Sequence, residues 1–76
     1  MTPAKTLDAK GLSCPLPVLK ARRAMQDMKP GEILEVLATD PAAPKDFQNF
    51  CEVGGHRMVA SSEAAGIYTM RIRKAG

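Results

Sequence analysis

Between the turn residues Lys29-Pro30-Gly31 and Asp40-Pro41 lies Glu32 to Thr39, where Ile33, Leu34, Val36 and Leu37 make a nearly continuous apolar run. A short run of this kind, bounded by turn formers, suits a strand in the interior of a sheet. A chain of 76 residues cannot divide its apolar residues between two cores, so the remaining elements must pack around the sheet to which this strand belongs. One domain spanning residues 1–76 is expected.

Those remaining elements are short. Thr6 to Ala9 reads as a first strand, stopped by Lys10-Gly11, and Cys14-Pro15 opens a helix predicted to reach about Met28. Asp40-Pro41 reads as an N-cap followed by proline at the first helical position. Phe47, Phe50 and Cys51 then recur at i, i+3 and i+4 until Gly54-Gly55 closes a second helix. Arg57 to Ser62 is a third strand, Glu63 to Gly66 a hairpin turn, and from Ile67 a fourth strand alternates Tyr68, Met70 and Ile72 with Thr69, Arg71 and Arg73. The order is β-α-β-α-β-β. Two helices that each own one apolar face must cover the same sheet, which predicts an α/β (α+β) two-layer sandwich: a mixed four-stranded sheet with two helices on one face. With 4% aromatic residues and no Trp, its core must come from Ile, Leu, Val, Met and Ala.

Several function classes are disfavoured. No apolar run approaches the roughly 20 residues needed to span a bilayer, and Met1 to Lys10 lacks the apolar stretch of a secretory signal, so a cytoplasmic protein without a membrane partner is expected. The two cysteines, Cys14 and Cys51, form no C-x-x-C, which argues for reduced thiols instead of a disulfide framework. A metal site from Cys14, Cys51 and His56 would lack a fourth ligand and any usual spacing, so no metal is expected. The net charge of +3 is spread along the chain and favours acidic partners. Arg71, Arg73 and Lys74 read as solubility and edge protection, and without an RNA-binding motif no direct nucleic-acid contact is expected.

The chemistry concentrates at Cys14. A cysteine at a helix N-cap meets unpaired backbone N–H groups and the positive end of the helix dipole, which favour thiolate and predict a pKa below the ordinary thiol value. Pro15 and Pro17 lack N–H groups and stiffen the first turn, leaving Leu16 and Val18 as donors to the anion. Asp8 is expected to orient the preceding loop by accepting backbone N–H bonds, and Gly11 to supply a φ that other residues avoid. Cys51, on the Phe47/Phe50 face, reads as an inert core thiol, and His56 as a turn or strand-start residue without chemistry. Along the first helix Val18, Ala21, Ala24, Met25 and Met28 fall on the sheet-facing side. Leu16 and Leu19 fall outside it among Lys20, Arg22 and Arg23, a candidate partner-docking surface beside the thiol.

Leu7 to Pro17, with its Cys14-Pro15-Leu16-Pro17, resembles the N-terminal signature of the TusA/SirA family of sulfur-carrier proteins, whose hallmark is Cys-Pro-x-Pro at a helix start. The resemblance continues through Asp40-Pro41, Asp46, Phe50-Cys51 and Gly55-His56 and covers Leu7 to Lys74. It implies a two-layer sandwich whose Cys14 accepts sulfane sulfur from a cysteine desulfurase or other sulfurtransferase and relays it to a downstream acceptor protein. The pathway it implies is tRNA 2-thiouridine synthesis or another sulfur-relay or sulfur-oxidation route. Such transfer is formally thiol–disulfide exchange and needs no metal or organic cofactor, so a stoichiometric carrier is expected in place of a turnover enzyme. The competing readings are a regulatory or redox-sensing protein-interaction module of the same fold, and an RNA-binding accessory domain.

Overall fold

The computed structural model describes residues 2–75. The chain forms β1 (Lys5–Ala9), α1 (Leu16–Met25), β2 (Ile33–Ala38), α2 (Ala43–Gly54), β3 (Arg57–Ala64) and β4 (Ile67–Arg73), in the expected order. The apolar run is interior: the sheet order is β1-β2-β4-β3, with β1 parallel to β2 on one side and β4 antiparallel on the other. A parallel pair needs a crossover, which α1 supplies, whereas β3 and β4 run antiparallel through a tight hairpin.

Alternation decides which side chains meet the helices. Leu34, Val36 and Ala38 of β2 join Met70 and Ile72 of β4 and Ala9 of β1, all buried, against Ala21 and Met25 of α1 and Ala43, Phe47 and Cys51 of α2. Met28 is buried with them just beyond α1, and Phe47 is the largest fully buried side chain. On the opposite sheet face Glu35 accepts a 3.0 Å bond from Arg71 across the β2/β4 pair. Among the described residues no helix is long and apolar enough to cross a membrane.

Of the boundaries that differ from the sequence prediction, three have a local reason in the hydrogen bonding and turn geometry. Helix α1 ends at Met25 instead of near Met28, where Lys5 Nζ from β1 takes the Ala24 carbonyl and pairs with Asp27. Helix α2 begins at Ala43, not at Pro41: the Asp40 carboxylate Oδ1 accepts the Ala42 N–H (3.0 Å) and its carbonyl the Ala43 N–H (2.9 Å), so a turn precedes the helix and Pro44 occupies the first helical turn. Strand β3 continues two residues past Ser62 because the hairpin needs only Ala65 and Gly66, both at positive φ (52° and 80°).

Candidate functional site

The loop from β1 to α1 carries Cys14 and is tied down at both ends. The Asp8 carboxylate accepts the Lys10 N–H at 3.0 Å, which shapes the turn leaving β1. Gly11 follows at φ +80° with open space where a Cβ would stand, so backbone conformation, not crowding, demands glycine there. Its N–H donates to Thr39 Oγ1 (2.9 Å), and the Cys14 N–H donates to Asp40 Oδ2 (2.7 Å). The thiol is therefore positioned by the end of β2, a segment remote in sequence.

This corrects the expected cap. Pro15, not Cys14, is the N-cap of α1, and no side chain caps the helix. The Leu16 N–H is committed to the Ser13 carbonyl at 2.9 Å, so Leu16 is not a donor to a Cys14 anion. Together with the prolines this leaves Val18, of the two expected amides, as the remaining candidate. The electrostatics also run against expectation. A hydrogen bond to Asp46, partial desolvation, and the negative charges of Asp46 and Asp40 push the exposed Cys14 thiol above its ordinary pKa, not below it. Two carboxylates thus bear on a thiol beside a helix start where Pro15 and Pro17 supply no N–H.

Asp46 belongs to α2, and the thiol opens onto a cleft of about 500 Å³ between the two helices. Val18, Arg22 and Met25 line it from α1, and Asp46, Asn49, Phe50 and Val53 from α2. His56 and Lys74 line it too; the Lys74 ammonium donates to the Met28 carbonyl beyond the C-terminus of α1, which puts it at the end away from Cys14. The His56 ring lies 5.1 Å from that of Phe50, and its Nδ1 accepts the Ala75 N–H at 2.9 Å. Burial and the Lys74 charge lower the His56 pKa and favour the neutral ring. Gly54 is required by close approach, since a Cβ there would fall 2.7 Å from the ring. Cys51, the other thiol, is 5% exposed within the core, where burial raises its pKa.

Residues 5–74 match the family model described as Sulfurtransferase TusA. This chain belongs to the TusA family. Among its relatives, the sulfur carrier protein TusA of Pseudomonas paraeruginosa is 46% identical over 68 residues, covering 90% of this chain and 86% of that protein. The sulfur carrier protein TusA of Allochromatium vinosum is 43% identical, covering 90% of each. The SirA-like protein of Desulfitobacterium hafniense, known from a crystal structure, superposes with a TM-score of 0.82 at 24% identity over 95% of this chain and 99% of that one, a likeness of fold.

A TusA-family chain takes part in sulfur relay, and the site can be sorted against that role. Leu16, Leu19, Lys20, Arg22 and Arg23 line one groove together with Leu7 and Ala24, and Leu16 (46%) and Leu19 (50%) are exposed as the helical periodicity predicts. Pro17 is instead buried under the helix start. Arg22 lines both this groove and the inter-helix cleft, with Cys14 at the cleft's near end. Four residues were not singled out as functional from the sequence: Asp40, read as a helix cap; Asp46, noted without a role; Val53; and His56, placed as a turn residue. Asp46 and Val53 are seven apart on one helix, two turns, and that spacing was the available signal. Among the described residues no three His, Cys, Asp or Glu side chains gather as metal ligands.

Proposed function

We propose that this TusA-family protein carries sulfur as a persulfide on Cys14. It accepts sulfane sulfur from a cysteine desulfurase or another sulfurtransferase and passes it to an acceptor protein in the cytoplasm. The observation that carries this reading is the contrast between its two thiols: Cys14 is exposed and Cys51 buried. A carrier needs that contrast, because an accessible second thiol would attack the loaded persulfide, close a disulfide and release hydrosulfide.

In the loading step the Cys14 sulfur attacks the outer sulfur of a donor persulfide. The sulfur–sulfur bond of the donor breaks, a new one forms on Cys14, and the proton ends on the donor's departing thiol. The negative charge of Asp46 favours the protonated, less reactive form of the resting thiol until a docked partner changes its surroundings. Unloading repeats the exchange with an acceptor thiolate. The protein is consumed and regenerated as a stoichiometric relay, which suits either tRNA thiolation or another sulfur pathway. Leu16 and Leu19, ringed by Lys20, Arg22 and Arg23, form the surface on which donor and acceptor dock.

Incubation with a cysteine desulfurase and cysteine, followed by intact-protein mass spectrometry, should show one added sulfur atom, removed by reductant and located on Cys14. Cys14→Ser should add none while keeping its circular dichroism spectrum. Loading of Cys14→Ser would end the carrier reading and favour a regulatory module of the same fold.

A further inference from the structure

The inter-helix cleft is larger and more apolar than a thiol needs if its only partners are protein surfaces. At about 500 Å³ it is the size of a small-molecule site, with apolar walls and a few polar groups at its ends. Those ends differ in sign. Asp46 lies beside Cys14, whereas Arg22 is two helical turns, roughly 10 Å, from the start of α1, and Lys74 reaches the Met28 carbonyl past the end of that helix. Between them Val18 and Phe50 are half-buried, and Val53 is 86% exposed on the rim, an apolar side chain with no packing role in this chain.

From this arrangement we infer that the cleft binds a low-molecular-weight organic persulfide with an apolar body and a terminal carboxylate, which loads Cys14 directly. The carboxylate lies against Arg22 and Lys74, the body along Val18, Phe50 and Val53, and the sulfane sulfur at the thiol. Asp46 repels the carboxylate from the near end, so the ligand has one favourable direction. The reaction is RS–SH + Cys14–SH → RSH + Cys14–S–SH: the ligand's sulfur–sulfur bond breaks, one forms on Cys14, and the released thiol carries the proton. The inference rests on Cys14 being the carrier and adds a second source of sulfur.

The probe is the persulfide of ω-mercapto-octanoate, whose thiol and carboxylate are about 10 Å apart when extended, comparable to the rise along α1 from its start to Arg22. Loading of Cys14, followed by mass spectrometry on a Cys51→Ala background, should saturate with the acid. Its methyl ester should load at least about fivefold less efficiently at low concentration, and Val53→Glu, which adds charge repulsion to the loss of an apolar contact, should impair the acid by a similar factor and the ester less. Loading by a cysteine desulfurase serves as the control. If the desulfurase loads Cys14 but acid and ester react alike without saturation, or Val53→Glu has no effect on the acid, the cleft site is wrong and the carrier reading stands. If neither donor loads Cys14, the carrier reading falls and takes this inference with it.

Discussion

Asp46 decides how Cys14 behaves at rest. Its carboxylate, with that of Asp40, opposes the thiolate anion, so the rate of Cys14 alkylation by iodoacetamide on a Cys51→Ala background should rise with pH around a midpoint above that of an ordinary thiol. Asp46→Asn removes one negative charge and should lower that midpoint and speed alkylation at neutral pH. An unchanged midpoint in Asp46→Asn would show that the helix end, not the carboxylates, governs the thiol. Cys51 is the opposite case, a thiol whose work is packing. Cys51→Ala should retain sulfur loading and lose about 1–3 kcal/mol of stability in urea unfolding, because a small cavity is left between α2 and the sheet. Loss of transfer at unchanged stability would give Cys51 a chemical role.

At the scale of elements, the β1–α1 loop and the start of α2 are one unit held by Asp40. Its pKa is lowered by the backbone N–H groups of Ala42 and then Cys14, which bind the charged form. A carboxyl group with a depressed folded pKa contributes stability above its unfolded value, near 3.8, and that contribution is lost as pH falls through the folded pKa. Protection of the Cys14 amide from hydrogen exchange, corrected for intrinsic rate, should therefore be present at pH 6 and fade below about pH 4. In Asp40→Ala it should be low at both pH values. Helix α1 carries the docking prediction. Reversing charge at Arg22 and Arg23 should slow sulfur transfer from a protein donor by about tenfold at low salt, with little effect on alkylation by a neutral reagent. Raising the salt should close the gap with wild type. Equal slowing of both reactions would place these arginines in thiol activation instead.

Across the whole molecule, the fold was legible because its signals are local and periodic. The apolar Ile33–Leu37 run, the i, i+3, i+4 face of Phe47, Phe50 and Cys51, and the alternation from Tyr68 to Arg73 each state an element and its buried side. With one core available, these leave little freedom except two helices on one face of a four-stranded sheet, and the structure has that arrangement. The signal that singles out Cys14 for the proposed carrier role was equally local, written in Cys14-Pro15-Leu16-Pro17, and the structure leaves that thiol exposed. Its electrostatics were not. Asp40 and Asp46 lie 26 and 32 positions along the chain from Cys14, and only the parallel β1/β2 pairing and the packing of α2 beside α1 bring their carboxylates to the thiol. The sequence by itself determined which elements form, which faces they bury and which thiol is presented. The tertiary structure decided the charge around that thiol and the cleft beside it, because periodicity reports the environment of a residue within its own element, while Coulomb interactions and cavities depend on distances between elements that the chain order does not state.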